Sequence, residues 1–164
     1  MKRTTVKKIL ALTGAFILTI TVSGCYLGTA AKERGQGRET GLKLVEYIND
    51  KDTDSIVQLF SEKVQERFDL KEGIENLYAV LGSDIKSYER LNSTDIEVWY
   101  DEGKLTHAII SVEFHDIITE DGVKYEELSF SYIAVDKDED NVGIAAISLC
   151  DDDKETAVVG GYIE

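Results

Sequence analysis

The spacing of apolar residues changes twice along the chain. From Ile9 to Val22 the run ILALTGAFILTITV contains no charge. Between residues 38 and 82 apolar side chains recur every three or four positions. Beyond residue 82 they alternate with polar ones. These periods are those of a continuous apolar segment, of amphipathic helices and of half-buried strands.

The helical stretch divides into three. Gly41, Leu44, Val45 and Ile48 form one stripe over residues 38–51, with Lys43, Glu46 and Asn49 pointing outward. After the charged punctuation DKDTD, in which Asp52 or Thr53 can cap the next turn, Ile56, Leu59, Phe60 and Val64 form a second stripe, extended irregularly by Phe68. Asp69-Leu70-Lys71-Glu72 is a variant of the capping box. It opens a third helix, striped by Ile74, Leu77, Tyr78 and Leu81 and stopped by Gly82.

The alternating stretch predicts strands. Ile85–Tyr88 reads either as a further strand or as the first part of a long bent one. Ile96, Val98 and Tyr100 then alternate with Glu97, Trp99 and Asp101, up to a turn at DEGK. In residues 104–118, Ala108, Ile110, Val112 and Phe114 take one face, and His107, Ser111, Glu113 and His115 the other. EDGV signals a hairpin. Leu128, Phe130, Tyr132 and Ala134 follow on one face of the next strand, DKDEDN turns the chain, and Val142–Leu149 closes the sheet. Helices first and antiparallel hairpins afterwards define an α+β domain, with N-terminal helices packed on one face of a curved antiparallel sheet.

The beginning of the chain changes where this domain is expected to reside. Met1–Lys8 carries four positive charges and no acid, the charge-free run follows, and small residues come next. That order is the plan of a secretory signal peptide, and the run is shorter than the ~20 residues a spanning helix needs. Val22-Ser23-Gly24-Cys25 resembles the lipobox of bacterial lipoproteins. In that family cleavage falls between the positions occupied here by Gly24 and Cys25, and the thiol carries a diacylglyceryl group. The resemblance implies a signal peptide at 1–24, an acylated Cys25 with a tether over 25–37, and a folded domain at 38–164. Acyl chains, palmitate among them, would hold the protein to the outer face of the membrane. YLGTAAKERGQG, Tyr26–Gly37, is small and polar, and spans ~40 Å at full extension.

Charge narrows the partners. Four of the eighteen basic residues, Lys2, Arg3, Lys7 and Lys8, precede Cys25. Residues 25–164 therefore carry fourteen basic against thirty-two acidic side chains, net −18. Such a surface repels phosphate backbones, so no nucleic-acid partner is expected. With Cys25 acylated, Cys150 has no partner for a disulfide. Such a cysteine is either a buried apolar filler or a reactive thiol, and its place at the end of VGIAAISLC favours the filler.

The element order resembles the nuclear-transport-factor-2-like, or cystatin-like, superfamily of cone-shaped α+β domains. More closely, the chain resembles a family of bacterial lipoproteins known as domain of unknown function 5104. The matching stretches are Asp50-Lys51-Asp52, Leu59-Phe60-Ser61, Gly82 with Ile85-Lys86-Ser87-Tyr88, and Asn141-Val142-Gly143-Ile144. Gly160-Gly161-Tyr162-Ile163 is similar to the family's closing segment, without its tryptophan and proline. The resemblance covers about residues 38–164 and implies a fold and an address, but no activity.

Candidate chemistry is sparse. Asp136, Asp138 and Asp140 occupy the first ligand positions of a calcium loop. The twelfth, which should be glutamate, is Ile147, so a solvated hairpin tip is expected. His107 and His115 share a strand face but lie roughly 27 Å apart, too far for one metal ion. Trp99, Tyr100, His107 and Tyr132 are the candidate pocket residues, and neither a catalytic residue, a metal nor a cofactor is expected. The reading is a membrane-anchored extracytoplasmic lipoprotein that binds a small ligand without chemistry. The alternatives are an interaction or dimerisation module of the cell envelope, and an isomerase- or dehydratase-like enzyme of the cone fold.

Overall fold

In the computed structural model, residues 31–92, 95–152 and 154–163 are described. The expected signal peptide, Cys25 and part of the expected tether lie outside them. Among the described residues, four α-helices precede seven strands. Helix α1 covers residues 31–50, followed by α2 (Thr53–Leu59), α3 (Glu62–Arg67) and α4 (Leu70–Leu81). The strands are β1 (Ile85–Ser87), β2 (Arg90–Asn92), β3 (Ile96–Asp101), β4 (Lys104–Thr119), β5 (Lys124–Val135), β6 (Gly143–Asp151) and β7 (Lys154–Gly160). All pair antiparallel in one open sheet. β1, β2 and β3 lie in succession along one edge of the long β4, and β5, β6 and β7 follow on its other side. The expected α+β arrangement of N-terminal helices and antiparallel sheet is present.

Helix α1 begins earlier than its apolar stripe suggests. Residues 31–37 are helical, and Glu33 and Gly37 are buried. Within the segment that reads as a spacer, Gly37 is a close-packed position. A Cβ on Gly37 would lie 3.0 Å from Ile110 Cγ2, and one on Gly41 would lie 3.1 Å from both Phe114 and Phe130. Two glycines one turn apart let the helix backbone lie directly on β4 and β5. Asn49, expected outward, turns in. Its amide donates to the carbonyl of Ile85 (2.9 Å) and accepts from the Ile85 N–H (2.8 Å), standing in for a strand neighbour at the edge of β1.

The second stripe is broken into two helices. Phe60 leaves the helical region at ψ 150°, and Ser61 caps α3 by accepting from Val64 N. The gap lets Phe60 bridge to Ile144 while Ser61 N donates to Ile144 O at 3.1 Å. Gly143 makes the crossing possible. Its φ is +137°, and a Cβ there would stand 2.6 Å from Ser61 N. The third helix matches its signals: Asp69 accepts from Glu72 N, and Gly82 ends α4 at φ +71°.

The core fills the space between the helices and one sheet face. Ile110, Val112 and Phe114 from β4, Leu128 and Phe130 from β5, and Ile144, Ile147 and Leu149 from β6 meet Leu44, Ile48, Ile56, Ile74 and Leu77, all nearly or fully buried. Residues 33–164 form one compact unit. The sheet does not close at Leu149. Residues 154–160 add β7, whose Ala157 and Val159 join the core while Val158 faces out. Thr156-Ala157-Val158-Val159 carries a weak alternation after the acidic turn, which hid this strand in the sequence.

Candidate functional site

Register decides which candidate residues can meet. Directly paired residues of antiparallel strands share a face. Trp99 pairs with His107, on the face opposite the helices, and their rings lie 4.8 Å apart at 65°. Tyr132 pairs with Ile110 and Ile144, so it faces the helices and packs on the core. Burial, then the neighbouring Glu33 charge, pushes its hydroxyl pKa up. Tyr100 follows a register shift in β3 and is exposed. The four residues therefore do not line one pocket: strand alternation puts Tyr132 on the far side of the sheet from Trp99 and His107.

His107 has a partner the sequence did not suggest. Its Nδ1 lies 2.7 Å from Asp136 Oδ2, because Asp136 follows directly on Val135, the last residue of β5, which pairs with Ala108. The Asp136 carboxylate also accepts from Asp138 N, and the Asp138 carboxylate accepts from Asp140 N. Burial opposes ionisation of Asp136. The hydrogen bonds from Asp138 N, Asn141 and His107 outweigh it and hold the carboxyl below its usual range. Lys63 on α3 pairs with Asp138, fixing the loop to the helix layer. These aspartates are engaged in turns and ion pairs, as a hairpin tip requires.

The face away from the helices carries polar rungs. Ser111 pairs with Ser131, which pairs with Ala146; Glu113, Ser129 and Ser148 form the next rung; His115, Glu127 and Cys150 form a third. The chain after β7 folds back so that Tyr162 donates its hydroxyl to Ser131 Oγ at 2.6 Å. It makes a wall of a groove of about 370 Å³ over Ser111, Ser129, Ser131 and Ser148. Tyr162 and Ser111 also border a second depression of about 440 Å³, which reaches Asp95 and Glu97. Cys150 lies on this polar face, half-buried, and is not a core filler. Burial and the neighbouring Glu127 raise its thiol pKa.

In the third rung, His115 stands between two carboxylates. Its Nε2 is 3.3 Å from Glu113 and its Nδ1 is 3.6 Å from Glu127. Asn92 Nδ2 approaches Nε2 at 3.3 Å. Strand alternation places Glu113 beside His115. Glu127 follows from counting back across the EDGV hairpin, a signal present in the sequence but usable only once the register is known. Among the described residues, neither histidine forms a hydrogen bond to a hydroxyl or thiol. The face presents hydroxyl, carboxylate and imidazole groups side by side.

Helices on one side of an open antiparallel sheet, with a polar groove on the other, define the class: a small α+β domain with a solvent-facing polar sheet face. The chain belongs to the family described as Domain of unknown function (DUF5104), which matches residues 43–152. The match runs from α1 to the turn after β6, and so includes the three polar rungs but not Tyr162. A search of curated proteins gave no match.

Proposed function

We propose that the protein is an extracytoplasmic lipoprotein, held to the membrane by an acylated Cys25, whose domain binds a small polar ligand on the outer sheet face without transforming it. The address rests on the basic start, the charge-free run and Val22-Ser23-Gly24-Cys25. No helix among the described residues is long and apolar enough to cross a membrane. The helix-and-sheet arrangement supports the likeness to nuclear-transport-factor-2-like cones. However, the candidate ligand surface lies on the side of the sheet away from the helices, not in the cone.

One observation carries the binding reading. The contact from Tyr162 to Ser131 turns a flat sheet face into a walled groove lined by serine hydroxyls, with Glu113 and Glu155 at its margin. Pockets of this size with a few placed polar groups suit small molecules. Hydroxyls beside carboxylates favour a neutral or cationic ligand rich in hydrogen-bond donors. The exposed Trp99 and Tyr100 on β3, which pairs on one side with β4, favour a second reading as a docking module.

Mass spectrometry of protein purified from membranes tests the address: the expected product begins at an acylated Cys25, and an intact signal segment overturns it. A thermal-shift screen of small polar compounds tests the groove. A stabilising compound should lose its effect in Ser131→Leu, which fills the groove floor. Retention of the full effect in that variant places binding elsewhere.

A further inference from the structure

We propose that Glu113, His115 and Glu127 bind a divalent transition-metal ion of the zinc type on the outer sheet face. The proposal does not depend on what the serine groove holds. The three side chains come from adjacent positions of two paired strands within the sheet: Glu113 and His115 are alternate residues of β4, and Glu127 of β5 is the register partner of His115. Backbone pairing therefore sets their spacing. One ligand atom from each lies within 4.8 Å of the others. A tetrahedral ion with bonds of about 2.1 Å places its ligands about 3.4 Å apart. The 3.3 Å separation of His115 Nε2 and Glu113 is already of that size. Glu127 lies 3.6 Å from Nδ1, beyond hydrogen-bond length, and its carboxylate would rotate toward Nε2 to complete the site.

Charge and burial point the same way. The side chains of His115, Glu113 and Glu127 are 18%, 25% and 27% exposed. Among the described side chains, the imidazole of His115 is the one group paired with either carboxylate. Arg90 is the register partner of His115 on β2, and Asn92 that of Glu113. Half-buried carboxylates call for a paired cation. A dication would neutralise both while the imidazole donates a lone pair.

The donor set selects the class of ion. One imidazole and two carboxylates suit zinc and its first-row neighbours. Calcium takes six to eight oxygens and magnesium a near-ideal octahedron, which three side chains including a nitrogen do not supply. Asn92 can offer its amide oxygen to a fourth position by rotating the amide, and otherwise water completes it.

The test uses the full chain in detergent, stripped with a chelator and titrated with zinc by calorimetry. The expected result is one ion per chain, with affinity falling at least about tenfold in His115→Ala, Glu113→Gln and Glu127→Gln. His107→Ala should bind like the unaltered protein. Glu127→Gln preserves shape, so it keeps the test valid if His115→Ala fails to fold. Cobalt substitution should give a visible absorption band that the Glu127→Gln change shifts or removes. Absence of stoichiometric zinc binding overturns the proposal, as does binding undiminished in His115→Ala and Glu127→Gln.

Discussion

Adding one methyl group at two places on the same helix should have opposite effects. In α1, Gly35 is exposed, and a Cβ there would have no atom within 4 Å. Gly35→Ala removes a helix-interior glycine at no packing cost, and should stabilise the protein by about 0.5–1 kcal/mol. Gly41→Ala gains the same backbone term but puts its methyl 3.1 Å from Phe114 Cζ, 3.1 Å from Phe130 Cε1 and 3.2 Å from Val112 Cγ1. These groups cannot easily retreat. Phe114 is fully buried and meets Tyr88 edge-on at 4.9 Å, and Phe130 is 3% exposed. Overpacking of this kind costs about 1–3 kcal/mol. After the backbone gain, Gly41→Ala should range from neutral to about 2 kcal/mol destabilising, leaving it about 1–3 kcal/mol below Gly35→Ala. Urea unfolding followed by circular dichroism, on the chain from residue 26 and its two variants, measures the gap. Equal stability of the two variants, or a more stable Gly41→Ala, would refute the argument that α1 lies directly on the sheet through its glycines.

The crossing of the α2–α3 gap over β6 should be less forgiving. Gly143→Ala would need a φ of +137° and a Cβ 2.6 Å from the Ser61 nitrogen. A loss of at least about 3 kcal/mol is expected from strain and clash together, read as a lowered urea midpoint. Asp69→Ala removes the cap of α4 and should cost about 1 kcal/mol, with no change in the denaturant slope. Asp136→Asn tests the carboxylate beside His107. Because the folded-state pKa of Asp136 is depressed, its contribution is present above the unfolded value near 3.9 and disappears as pH falls through the folded one. The variant should therefore be about 1 kcal/mol less stable at pH 7, and the difference should close in the acid range. A difference independent of pH would show that the charge plays no part.

Several elements were legible because their signals are local. Asp69, the Ile74–Leu77–Leu81 stripe and Gly82 define α4 within fourteen residues, and the alternation through β4 and β5 correctly sorted buried from outward side chains. Elements that depend on remote partners were not. The N-terminal turns of α1 looked like spacer because a helix packed flat on a sheet needs glycine where an ordinary helix shows leucine. Asn49 looked outward because its partner, Ile85, is 36 residues away. Phe60 read as part of a helical stripe because nothing near it reveals Ile144.

The candidate site divides in the same way. The sequence by itself determined that Glu113 and His115 share a face and that the chain from Cys25 onward is strongly acidic. Pairing across the sheet decided the rest: it separated Tyr132 from Trp99 and His107, brought Asp136 to His107, set Glu127 against His115, and laid Tyr162 over Ser131. Alternation along a strand follows from backbone geometry alone. Which strand lies opposite, and in which register, follows from packing the whole core at once.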